Sequence, residues 1–133
     1  MRICIDLDGV IAGFKKPGQT YADVDPIEGA IDKLKELKGN GHHIILFTAR
    51  HMKTCEANVG KVTARIGLQT LDWLDRHGVV YDEIFFGKPW ADIYIDDNAF
   101  RFTNWDEIDG NGESLPVSNE KKQKMNYAAP SGS

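Results

Sequence analysis

Arg2-Ile3-Cys4-Ile5-Asp6-Leu7-Asp8-Gly9-Val10 is the stretch that decides the fold. Residues 2 to 7 form a nearly continuous apolar run, the habit of a strand buried on both faces in a parallel sheet. Two carboxylates follow where that strand ends, and Gly9, Gly13, Pro17 and Gly18 punctuate a loop beyond them. Asp25-Pro26-Ile27-Glu28 then reads as a helix start, with Asp25 as cap, Pro26 in the first turn and Glu28 placed for a capping box. Ile27, Ala30, Ile31, Leu34 and Leu37 recur at helical spacing until Gly39 and Gly41.

His43 to Thr48 predicts a second buried strand. Residues 51 to 60 fit neither period. Ala64, Leu68, Leu71 and Leu74 predict one face of a second helix ending near His77-Gly78, with Gly67 as a weak point inside it. Glu83 to Phe86 predicts a third strand and Asp92 to Ile95 a fourth, and Phe100 to Phe102 is a candidate fifth. This order predicts an α/β domain, a three-layer, doubly wound, mainly parallel sheet, over residues 1 to 109. Residues 110 to 133 are polar and aperiodic, and read as a flexible tail.

Composition sets outer bounds. The chain has 133 residues, 41% hydrophobic and 27% charged, with net charge -4. That balance suits one globular domain and argues against a general electrostatic grip on nucleic acid. No apolar run approaches the ~20 residues of a membrane-spanning helix. The N-terminus turns acidic at once, unlike a secretory signal, so a cytoplasmic setting is expected. Cys4 and Cys55 are too few for a disulfide scaffold; Cys4 reads as core.

In open α/β sheets, ligands sit outside the carboxyl ends of the strands. Those ends carry Asp6 and Asp8, then Thr48 with Arg50 beyond, then Gly87-Lys88-Pro89, then Asp96-Asp97. Four carboxylates on one edge repel each other, and a bound cation is the simplest remedy; all-oxygen ligands favour Mg²⁺. Lys88 and Thr48 supply donors that suit a phosphate. Together they point to phosphoryl transfer. Each residue also has a plainer role: an Asp-x-Asp pair caps turns, Thr48 is an ordinary strand residue, Lys88 a solvated loop lysine, and Arg50 a partner for a surface acid. His42 and His43 lie at the remote end of their strand and read as structural, His51 stays open, and Trp73 reads as helix packing.

The joint pattern resembles the haloacid dehalogenase superfamily of phosphohydrolases over residues 1 to about 102. Asp6-Leu-Asp8-Gly-Val, Phe47-Thr48-Ala49-Arg50, Gly87-Lys88-Pro89 and Ile95-Asp96-Asp97 match its four motifs in order. The resemblance implies Asp6 as nucleophile, Asp8 as general acid/base, and Thr48, Ala49 and Lys88 around the phosphoryl group. It also implies Mg²⁺ held by the Asp6 side chain, the Asp8 backbone carbonyl and Asp96 or Asp97, with Asp97 favoured over Asp96. Arg50 is the candidate substrate clamp. The gaps 9 to 47 and 49 to 87 leave no room for an added cap domain, which needs ~50 residues. An open site implies either a bulky substrate or a second subunit covering it, and the loop 11 to 24, with Phe14, Lys15, Lys16 and Tyr21, is a candidate flap.

More narrowly, Tyr81-Asp82-Glu83-Ile84 followed by Gly87-Lys88-Pro89-Trp90 and Ile95-Asp96-Asp97 resembles small capless members associated with capsule and lipopolysaccharide biosynthesis. That implies a small phosphorylated substrate, a sugar or sugar acid. A polynucleotide or protein phosphatase is the alternative within enzymes. A phosphoryl-accepting signalling module, or a silent binding protein on the same fold, is the alternative outside them. A signalling receiver places its acceptor Asp after strand three, where this chain has Gly-Lys-Pro.

Overall fold

In the computed structural model, residues 1–50, 59–96, 98–117, 121, 122 and 125 are described. Strands β1 (Arg2–Asp6), β2 (His43–Thr48) and β3 (Glu83–Phe86) form a parallel sheet in the order β1-β2-β3. Helix α1 (Ala30–Gly39) links the first two strands and α2 (Val59–Arg76) leads to the third. The register sets Ile3 against Ile44 and Ile5 against Leu46, and Leu46 in turn against Ile84. These side chains share one face, and period-two alternation sends Cys4, Ile45 and Phe47 to the other.

Both helices cover the first face. Leu34 and Leu37 of α1 and Trp73 and Leu74 of α2 join Ile5, Leu7, Ile11, Ile44 and Leu46 in a single core. Neither α1 nor α2 covers the opposite face, so the sheet and these helices form two layers where three were expected. Cys4 is exposed there rather than in the core, and Phe85 is 56% exposed. Residues 92 to 96 and 100 to 102 form no strand, and Ile95 is 94% exposed. Among the described residues, no helix is long and apolar enough to cross a membrane.

Three local expectations change. Helix α1 begins at Ala30 behind Gly29, at φ 84°, with no side-chain cap. Asp25 and Pro26 serve the neighbouring loop instead: the Asp25 carbonyl accepts from Gly13 N–H at 2.9 Å, and Ile27 N–H donates to the Ile11 carbonyl at 2.8 Å. Gly29 is required twice over, because a Cβ there would also lie 3.2 Å from Cβ of Trp105.

The buried stripe of α2 is Ile66, Thr70, Trp73 and Leu74, not the stripe through Ala64 and Leu68; Leu68 is 87% exposed. Two apolar stripes compete on this helix, and the one carrying the large indole wins the core. Finally, residues 110 to 115 are no loose tail. Asn40 Nδ2 donates to the Gly110 carbonyl at 2.7 Å, His42 bonds both the Asn111 carbonyl and the N-terminal amine, and Leu115 packs on the core.

Two indoles pin the long loop after β1. Trp105 Nε1–H donates to the Val10 carbonyl at 2.8 Å, and Trp73 Nε1–H donates to the Val24 carbonyl at 2.9 Å. Each satisfies a carbonyl that no strand or helix would serve, buried at Val24 and part-buried at Val10.

Candidate active site

Parallel pairing brings the carboxyl ends of all three strands to one edge, and the chain turns sharply at each. After β1, the Leu7 carbonyl accepts from both Ile11 and Ala12 N–H, and Gly9 N–H donates to the Ala12 carbonyl at 2.8 Å. Gly9 sits at φ 86°, the left-handed region where a side chain is strained. This turn holds Asp8 beside the end of β2. After β3, Gly87 (φ 108°) and Lys88 both donate their N–H groups to the Thr48 carbonyl, at 3.1 and 3.0 Å. The loop with the lysine is thus tied to the strand with the threonine.

Two charge pairs result. Lys88 Nζ meets Asp6 Oδ2 at 3.0 Å, and its ammonium also lies over the rings of Phe47 and Tyr94, at 4.4 and 4.1 Å from their centroids. Arg50 Nε donates to Asp8 Oδ1 at 2.8 Å while Thr48 Oγ1 donates to Asp8 Oδ2 at 2.8 Å. Thr48 Oγ1 in turn accepts from Arg50 N–H at 3.1 Å, and Arg50 Nη1 donates to Thr70 Oγ1 at 3.1 Å. The Arg50 side chain is 1% exposed and the Asp8 side chain 23%.

Burial pushes the Asp6 carboxyl above the ordinary carboxylate range; the hydrogen bond and charge of Lys88 oppose this, and the charge of Asp8 adds to it. Burial likewise raises the Tyr21 hydroxyl, with Asp8's charge in the same direction. With two acids and two bases, this core of the site is neutral by formal charge.

A pocket of about 350 Å³ opens on the Asp8 side, lined by Gly13, Phe14, Lys15, Tyr21, Ala49 and Arg50 together with Asp8. Asp6, Asp8, Thr48, Ala49, Arg50 and Lys88 are therefore gathered at one edge, as the sequence predicted. Thr48 differs in detail, since its buried hydroxyl bonds Asp8. Asp96 is exposed and its carboxylate accepts from Asn98 N–H at 3.3 Å; among the described residues no group of three His, Cys, Asp or Glu is placed to hold a metal. Asp97, His51 and Cys55 lie outside the described residues. Trp90 is 57% exposed.

Sequence reading missed Thr70 and Trp105. Thr70 left one signal: it falls in phase with Ile66 and Trp73 on a helix face, a polar residue at a core position. Trp105 left none, because its partner is a backbone carbonyl 95 residues away.

Neither a scan of protein-family models nor a search of curated proteins gives a match. Among solved structures, the chain is similar to a crystallised structural-genomics target from Vibrio cholerae. The two share 34% identity over 93% of this chain and 94% of the other, with a TM-score of 0.69. At that identity and coverage, the chain belongs to the same family as the Vibrio cholerae protein.

Proposed function

We propose that this chain is a phosphomonoester hydrolase of haloacid dehalogenase type, with that superfamily's doubly wound core, acting through an aspartyl-phosphate at Asp6. The observation that carries this reading is the pairing of Asp6 with Lys88 beside Asp8 with Thr48 and Arg50, at the carboxyl ends of adjacent parallel strands. The substrate class we favour is a phosphorylated sugar or related small metabolite of polysaccharide biosynthesis, from the resemblance of residues 81 to 97.

The chemistry follows from the side chains. Asp6 attacks phosphorus as the P–O bond to the leaving alcohol breaks, which divides one difficult displacement into two easier ones. Lys88 favours the ionised form of Asp6 and faces the phosphoryl oxygens. Asp8, ionised while paired, takes up a proton from solvent on Oδ2 as substrate enters, gives it to the leaving oxygen, then takes one from the water that attacks the aspartyl-phosphate and releases phosphate. Thr48 holds Asp8 until substrate enters. Rotation of its hydroxyl then transfers the donated bond to a phosphoryl oxygen and frees Asp8 Oδ2 for the proton. Arg50 keeps Asp8 oriented throughout.

The residues fit Mg²⁺. This ion binds through one or two carboxylates, carbonyl oxygens, waters and substrate phosphate, and the Asp6 carboxylate and Asp8 backbone carbonyl provide hard oxygens at a neutral site that a phosphate dianion would leave negative. Asp6 and Asp8 would hold the ion, with Asp96 or Asp97 from the following segment. Bound there, Mg²⁺ supplies neutralisation of the charge on the transferring phosphoryl group.

The test is phosphate release from a panel of sugar phosphates, nucleotides, a 3′-phosphorylated oligonucleotide and an aryl phosphate, with and without Mg²⁺. Turnover that needs Mg²⁺ and disappears in Asp6→Asn is expected. A stable phospho-protein without turnover would replace this reading with a signalling module.

A further inference from the structure

Arg50 carries more donors than the catalytic pairings consume. Nε serves Asp8 and Nη1 serves Thr70, but Nη2 is buried with no hydrogen-bond partner among the described residues. A guanidinium donor left unsatisfied in a buried position is costly, and such exceptions in folded proteins mark functional sites or an absent ligand. The pocket beside it repeats the signal. Lys15 Nζ lies 4.2 Å from the centroid of the Tyr21 ring, and Arg50 Cζ lies 4.2 Å from the same centroid. Lys15 makes no ion pair among the described residues, whereas Arg50 spends its charge on Asp8.

We propose that the Lys15–Tyr21–Arg50 pocket binds a second anionic group of the substrate, a carboxylate, so that the preferred substrates are phosphorylated acids rather than neutral phosphorylated sugars. This rests on the hydrolase reading and narrows it. One unmatched positive charge calls for a monoanion, and a planar carboxylate can take one hydrogen bond from Nη2 and another from the ammonium. The pocket begins at Asp8, whose proton goes to the leaving oxygen, so whatever fills it belongs to the leaving group. About 350 Å³ suits a small polar metabolite. Phe14 and Tyr21 supply apolar walls that weaken competition from water. Tyr21, stacked on the guanidinium, is the side chain that shifts to admit the carboxylate to Nη2.

The experiment compares 3-phosphoglycerate with glycerol 3-phosphate, which lacks the carboxylate, and with 2,3-bisphosphoglycerate, in wild type and Lys15→Ala. The expected result is a kcat/KM ratio of about a hundred in favour of 3-phosphoglycerate over glycerol 3-phosphate, the size of two charge-assisted hydrogen bonds at about tenfold each. In Lys15→Ala, which leaves the Nη2 bond, that ratio falls about tenfold. Equal kcat/KM for the two in wild type, or a ratio unchanged in Lys15→Ala, overturns the subsite. A further gain of tenfold or more with the bisphosphate reassigns it to a phosphate and overturns the carboxylate.

If none of the esters is turned over, the hydrolase reading fails by itself. Calorimetry then decides the pocket: tighter binding of 3-phosphoglycerate than of glycerol 3-phosphate, weakened in Lys15→Ala, upholds it, and equal binding overturns it.

Discussion

Replacing Arg50 with Met tests whether the guanidinium and Asp8 act as a unit. The side chain is 1% exposed, so its removal leaves the Asp8 carboxylate without its cation in a site that is 77% withdrawn from water by the same measure. Breaking a buried pair by removing one partner costs about 3–5 kcal/mol. Asp8 retains some hydration, which puts the expectation at the low end, about 3 kcal/mol. Met fills most of the aliphatic volume, so a cavity adds little. In urea, with a slope of about 2 kcal/mol/M for a domain of this size, the unfolding midpoint falls by about 1.5 M.

The decisive comparison adds Asp8→Asn. Alone it strands the buried guanidinium and costs about 3–5 kcal/mol. In the double variant neither charge remains, so the summed cost is undercut by about 2 kcal/mol. Urea unfolding followed by circular dichroism and fluorescence, on all four proteins at neutral pH, measures the cycle. Costs that add within about 0.5 kcal/mol would refute the claim that these residues are energetically coupled.

Three shorter predictions bear on other parts of the molecule. Burial raises the Asp6 carboxyl in the metal-free protein, so its titration followed by NMR without Mg²⁺ lies at higher pH than an ordinary aspartate gives; Lys88→Met removes the opposing charge and moves it up again, and a titration that stays put or falls in the variant contradicts the pairing. Leu46→Ala, at a position with no exposure, costs about 2–5 kcal/mol by urea unfolding, whereas Leu68→Gln, at a solvent-facing position of α2, changes stability by less than about 0.5 kcal/mol. Trp105→Phe keeps the ring but orphans the Val10 carbonyl, and is expected to lower stability by about 1–3 kcal/mol in the same assay.

Strands β1 to β3, their parallel order and the gathering of Asp6, Asp8, Thr48, Arg50 and Lys88 were legible in the residues alone, whereas the strands expected over residues 92 to 95 and 100 to 102 do not form. Continuous apolar runs that end in polar side chains have one solution in an α/β domain, because parallel strands align their carboxyl ends. Period-based reading stopped where two phases were equally apolar. On α2, Ala64–Leu68–Leu71 and Ile66–Trp73–Leu74 both fit the helix, and only packing against the sheet selected the second. The capping pattern at Asp25 failed for a similar reason. Its backbone found partners in the loop at Ile11 and Gly13, a contact between strands of chain that local rules do not see.

What tertiary structure alone decided is the use made of each polar group. Sequence placed Thr48 beside a phosphate and left Arg50 between substrate and surface; three-dimensional packing set both on Asp8 and left one guanidinium donor without a partner among the described residues. It also recruited Thr70 from a helix and Trp105 from beyond the last strand to hold the site's walls. Strand periodicity is written in neighbours two and four residues apart, so it can be read along the chain. Hydrogen-bond partnership between residues tens of positions apart depends on which faces the core has already claimed, and that is settled only when the chain is packed.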